Sequence, residues 1–341
     1  MDFMLKETKK LINELMAKDE LSNIAIRIGK GDEILAEFYS DAITENTLFD
    51  MASVTKVLSV TMLSLISIEN NTLKLGDKVS FFFDTPDHYR ELTVKHLLTH
   101  NMGIGHKNLT NDSQTYDDIA EYILSLYDNP VGYDVAYSCP AFILLGKILE
   151  KLYGKRLDTL FDEMVAKPLG IIKSGFLPTQ KGYTDIVNSN IEPEKRGIVN
   201  DYNCQYLGGV AGNAGIFASI SDLTLFVRAM LSGGYPLFSK ETLDIAALNH
   251  TVGMSEARGL GFLYVDERYK QTGTLFPKGS IGHCGHTGTS VFFNRESGLY
   301  VIILSDATIS VIKNHGTKSY YDKVMLMRKN IHNAIKKDLN L

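Results

Sequence analysis

The 341-residue chain is poor in cysteine and carries no excess of positive charge, and each shortage excludes something. Cys139, Cys204 and Cys284 are odd in number and far apart, which argues against a disulfide framework. The formal net charge is -5, and basic residues cluster only in short runs such as Lys336-Lys337, so there is no electrostatic footprint for nucleic acid. No run reads as a bilayer span, so no membrane partner is expected. The first eighteen residues place Lys6, Glu7, Lys9, Lys10 and Glu14 among Leu5, Leu11, Ile12, Leu15 and Met16. That is an amphipathic helix, not the continuous apolar stretch of a secretory signal, so a reduced, cytoplasmic location is expected. There is no internal repeat and no low-complexity tract.

What is present suffices for a full core. With 44% hydrophobic and 22% charged residues, the length suggests about two domains or one composite one. Residues 23–28 and 33–39 alternate and are joined through Gly29-Lys30-Gly31-Asp32, a β-hairpin pattern. Residues 259–265, 290–294 and 299–304 are further strand candidates, and 320–337 has the spacing of an amphipathic helix. Residues 92–99, 116–126, 141–153, 157–165 and 221–231 show helical spacing between loops rich in Gly, Asn and Pro. The expected fold class is α+β. An antiparallel sheet of about five strands is assembled from residues 1–75 and 250–341, flanked by the terminal helices, and 76–249 forms a mainly helical insertion.

Chemistry concentrates in three places. From Val57 to Ile68 there is no charged residue, so this helix is buried all round, and Lys56 stands at its mouth. Ser53 and Lys56 are one helical turn apart and can hydrogen-bond. Burial is expected to lower the Lys56 pKa and make it a proton acceptor for Ser53. Ser-x-x-Lys also arises by chance on ordinary helices, so the tetrad needs company. Tyr137-Ser138-Cys139 precedes the helix near Pro140, although with 17 tyrosines core packing is a competing reading. In the run from Gly282 to Ser290, the glycines flanking His283, Cys284 and His286 allow close backbone approach; a plain turn into an edge strand is the alternative.

In order and spacing these motifs resemble those of the serine β-lactamase and penicillin-binding-protein superfamily, specifically its class C β-lactamase-like branch, which includes esterases and D-aminopeptidases. Phe49-Asp50-Met51-Ala52 and residues 73–79, 93–100, 144–150 and 208–215 are similar to segments of that branch. The resemblance implies a β-lactamase/transpeptidase-like fold with the active site between sheet and helical parts. It implies Ser53 as nucleophile of an acyl-enzyme, with Lys56 and Tyr137 sharing the base role. The backbone N–H groups of Ser53 and His286 would form the oxyanion hole, each worth about 3 kcal/mol. Cys139, His283, Cys284 and Gly285 would line the substrate site. No cofactor or metal is implied, although Cys139, Cys284, His283 and His286 are ligand types that zinc accepts.

Two departures shape the functional expectation. The family's usual Tyr-x-Asn amide is replaced by Cys139, a weak donor, and the frequent Lys-Thr-Gly cation by His283. Both weaken the case for peptides, β-lactams and anionic substrates. An intracellular esterase or amidase acting on a small-molecule substrate is the expected function. The alternatives are a weak β-lactamase, a D-Ala-D-Ala carboxypeptidase or D-aminopeptidase, and a catalytically silent binding protein. The intact Ser53, Lys56 and Tyr137 argue against the last.

Overall fold

In the computed structural model, which describes residues 5–109, 119–318 and 320–341, the two ends of the chain meet in one antiparallel sheet. Its strands are β1 (Ile24–Lys30), β2 (Glu33–Tyr39), β6 (Leu263–Tyr264), β7 (Ile281–Cys284), β8 (Ser290–Phe293) and β9 (Leu299–Ser305), in the order β2-β1-β9-β8-β7-β6. A second small sheet holds β3 (Phe49–Asp50), β4 (Gly175–Phe176) and β5 (Ile216–Ala218) in the order β3-β5-β4.

Period-two alternation sorts the side chains of the large sheet into two cores. Along β9, Leu299, Val301 and Ile303 face one core while Tyr300, Ile302 and Leu304 face the other. Along β1, Ile24, Ile26 and Ile28 join the first set, and Ala25 the second. The first core is closed by the N-terminal helix (Lys6–Ala17) and the C-terminal helix (Tyr320–Asp338). The latter contributes Val324, Met327, Ile331 and Ile335, spaced by three or four residues along one face. Each such side chain adds roughly 1.5–3 kcal/mol on burial. Asp338 accepts from the N–H groups of Glu7 (2.8 Å) and Thr8 (2.9 Å), so the end of one terminal helix caps the start of the other.

The other face of the sheet packs against the helical half. The segment Ala52–Glu69 runs through that core as a 3₁₀ turn, a π segment at Val57–Thr61 and an α-helix at Met62–Glu69. Among the described residues it is the one helix long and apolar enough to cross a membrane, and 83% of it is buried inside the molecule. Ser67 Oγ donates to Leu63 O at 2.7 Å, whereas Ser59, Thr61 and Ser64 have hydroxyls with no partner among the described residues.

Most elements fall where the pattern put them, and one strand candidate is shorter than expected. Residues 259–265 pair only at Leu263–Tyr264, because Gly261 (φ +78°) turns the chain hard against Thr61. Among the described residues the sheet has six strands, close to the five expected, with Ile281–Cys284 pairing as a strand of its own that carries the start of the third motif. Of the helix expected over 116–126, Ile119–Ser125 is helical and residues 116–118 lie outside the described residues.

Candidate active site

Ser53 is set by an unusual backbone. Ala52, immediately before it, has φ +44°, a left-handed conformation costly for a residue with a Cβ. Asp50 supports it: Oδ1 accepts from Ala52 N at 2.8 Å, and Oδ2 accepts from Asn200 N (2.7 Å) and Ser189 Oγ (3.1 Å). Burial pushes the Asp50 carboxyl up to about 6 against those hydrogen bonds.

Lys56 is wholly buried, and its ammonium donates to Ser53 Oγ (3.0 Å), Asn213 O (3.0 Å) and Cys139 Sγ (3.4 Å). The Tyr137 ring centroid lies 5.0 Å from the Lys56 nitrogen. The sequence brings these residues together through two helix starts: Ser53 opens one, and Cys139 opens the helix Cys139–Tyr153, whose N-cap Ser138 accepts from Ala141 N at 3.1 Å.

The expected lowering of the Lys56 pKa is reversed. Burial does lower it, but the interactions with Cys139, and after it Tyr137, outweigh that and raise it. Cys139 moves the opposite way. Burial raises a thiol, yet the Lys56 charge and a hydrogen bond from His106 bring it below its ordinary value. His106 is raised by the same hydrogen bond. The two shifts have one physical sense: each group favours the charged form of the other, across the 3.4 Å contact between Lys56 Nζ and Cys139 Sγ.

The third motif is stitched to the nucleophile segment. Thr287 Oγ1 donates to Asp50 O (2.8 Å) and Thr289 Oγ1 to Met51 O (3.3 Å). A Cβ at Gly285 would lie 2.5 Å from Met51 O, so only glycine fits there. Among the described residues neither the Ser53 nor the His286 backbone N–H is given to an acceptor, as oxyanion donors require. His283 faces Tyr137 with ring centroids 6.2 Å apart, and burial, then the Lys56 and Arg258 charges, hold its pKa well below the usual value. It is neutral, as expected. Cys284 corrects an expectation: strand alternation turns it to the opposite face, where its thiol meets Tyr269 OH at 3.2 Å. It does not line the site, and it makes no pair with Cys139.

Several site groups escaped the sequence reading. Asn213 receives Lys56 through its carbonyl and donates to Asp201 at 2.9 Å; the glycines around it were the available signal. His100 packs 4.7 Å from the Tyr137 ring and accepts from Ser138 N at 3.0 Å. Arg258, 4% exposed and bound to Glu256, lies 5.6 Å from the Tyr137 centroid with Nε and Nη1 unpartnered among the described residues. Positive charge missing at position 283 is therefore present beside Tyr137.

Residues 8–312 match the family model described as Beta-lactamase. A protein of Escherichia coli O157:H7, provisionally named a D-alanyl-D-alanine carboxypeptidase, is 28% identical over 306 residues, covering 77% of this chain and 70% of the relative. The N-acetylmuramyl-L-alanine amidase of Bacillus subtilis (strain 168) is 26% identical over 299 residues, covering 76% and 68%. Among solved structures, the hydrolase EstCE1, with promiscuous acyltransferase activity, superposes with TM-score 0.72 at 18% identity, covering 97% of this chain and 99% of the other.

Proposed function

Because the chain belongs to the β-lactamase family, we propose that it is a serine hydrolase that cleaves ester or amide carbonyls through an acyl-enzyme on Ser53. The observation that carries the assignment is the 3.0 Å contact from buried Lys56 to Ser53 Oγ within reach of Tyr137. All three Lys56 N–H bonds are engaged, so the resting ammonium has no lone pair for the serine proton. The reactive state in this proposal carries Cys139 as a thiolate: as Ser53 attacks, Lys56 passes it one proton and takes the serine proton in its place. Negative charge moves from sulfur to the tetrahedral oxygen, between the Ser53 and His286 N–H groups. Tyr137, beside Lys56, hands a proton to the leaving group, and water reverses the sequence to release the acid.

Esters are the favoured substrates, since Cys139 offers no amide N–H to a substrate carbonyl and an alkoxide leaves more readily than an amine. A second reading, hydrolysis of a D-amino-acid amide, draws support from Arg258 and from the names of the two relatives. A panel of p-nitrophenyl esters, D-amino-acid amides and nitrocefin tests both. Short-chain esters are expected to turn over fastest, with Ser53→Ala abolishing turnover and fluorophosphonate labelling. Nitrocefin cleaved faster than every ester would sink the ester preference, and full activity in Ser53→Ala would remove the mechanism.

A further inference from the structure

Arg328 lies on the C-terminal helix, only 3% exposed, with no carboxylate partner among the described residues. A buried guanidinium without a counter-ion is costly, and an aliphatic side chain would seal the helix to the sheet without that cost. Its acceptors indicate what the charge is for. Nη2 donates to Gly285 O, Nε to Gly288 O (3.2 Å) and Nη1 to Gln271 Oε1 (2.7 Å).

The Gly285 carbonyl and the His286 N–H belong to one planar trans peptide and point in opposite directions. A charge-assisted hydrogen bond on the carbonyl therefore fixes where the N–H points, and draws electron density from the nitrogen so that it donates more strongly. The neighbouring carbonyls are held too: Thr308 Oγ1 donates to His286 O, and Arg328 reaches Gly288 O. In front, Thr287 and Thr289 tie the same turn to Asp50 and Met51. The turn is clamped from both sides, and His286, exposed, keeps its N–H free. We infer that Arg328 is a positioning residue for hydrolysis, aiming and polarising the His286 N–H from behind the sheet. This rests on the reading of that N–H as an oxyanion donor.

The test compares wild type, R328Q and R328K for turnover of a short-chain p-nitrophenyl ester, and for affinity toward a phenylboronic acid, whose tetrahedral adduct on Ser53 places an anionic oxygen in the hole. Circular dichroism and thermal melts establish that each variant is folded. R328Q is expected to lower kcat by roughly 10- to 100-fold, less than the ~10²–10³ for losing such a donor outright. Boronate affinity should fall by a similar factor while KM stays within about threefold, because the ground-state carbonyl draws little on the hole. R328K, which keeps the charge but not the fork, should lie between. If R328Q does not fold, R328K alone decides. A folded variant with wild-type kcat and boronate affinity overturns the role of Arg328, as does a loss confined to melting temperature. Wild type that neither takes fluorophosphonate at Ser53 nor cleaves any ester overturns the underlying reading instead.

Discussion

Gly285→Ala is the sharpest single-atom test of how the site is assembled. Gly285 has an ordinary backbone conformation, so the added methyl is opposed by space alone. The new Cβ would sit 2.5 Å from Met51 O and still closer to Thr289 Oγ1. Ordinary contact begins at 3.4 Å, so the two must separate by 3.4 − 2.5, or about 0.9 Å. Met51 cannot give way easily, because its N–H is bonded to Ile216 O at 2.9 Å and its carbonyl to Thr289. The third motif must move instead, carrying the His286 N–H with it. A donor at about 2.9 Å that retreats by that much no longer makes a hydrogen bond. The expected loss in kcat is therefore about 10²-fold, with an overpacking cost of about 1–3 kcal/mol that lowers the melting temperature by a few degrees. Steady-state hydrolysis of a p-nitrophenyl ester with a parallel melt reads both. A folded Gly285→Ala enzyme with kcat within threefold of wild type would refute the close approach or the role of the peptide it carries.

The remaining predictions concern the buried charges. Iodoacetamide should inactivate the wild type with a pH midpoint below 9, the ordinary value for a thiol, because the Lys56 charge and His106 outweigh burial at Cys139; Cys139→Ser should be unaffected. A midpoint at or above 9 would take the thiolate out of the mechanism. Asp50 has a folded pKa of about 6 against 3.8 ordinarily, so the folded state binds the extra proton and stability falls as pH rises through that window. The loss amounts to 1.36 × (6 − 3.8), or about 3 kcal/mol above pH 6. Denaturant melts should show the stability difference between wild type and Asp50→Asn shifting in the variant's favour by up to that amount from pH 4 to 7; a pH-independent difference would contradict it.

The candidate site motifs and the sheet built from both termini were legible because their signals are local. Apolar alternation marks Ile24, Ile26 and Ile28, an uncharged stretch marks the helix behind Ser53, and i, i+3 spacing joins Ser53 to Lys56. The same alternation already separated His283 from Cys284, since neighbours on a strand face opposite sides. Reading the motif as a cluster instead of as a strand hid that. The groups that tune the chemistry are different in kind. Arg328 reaches Gly285 across 43 residues, and Cys139 reaches Lys56 across 83. No periodicity connects them. The expected sign of the Lys56 shift failed for the same reason: desolvation can be read from an apolar helix, but the neighbour that outweighs it, Cys139, arrives from another element.

Placed together, these charges give the reaction a direction. In the proposed mechanism the negative charge starts on Cys139, beside Lys56, while Arg328 behind the third motif has no carboxylate partner among the described residues. Attack by Ser53 removes charge from the sulfur and delivers it to an oxygen in front of the His286 N–H, the far end of the peptide that Arg328 grips. The thiolate's stabilisation by Lys56 is lost in that step, and the polarised peptide supplies its replacement. Cys139 and Arg328 are then coupled through the moving charge without touching. A more stable thiolate makes attack harder and leaves more for the oxyanion peptide to offset. Removing the thiolate should accordingly change how much the loss of Arg328 costs, so the Cys139→Ser and R328Q effects on kcat should fail to add in the double variant.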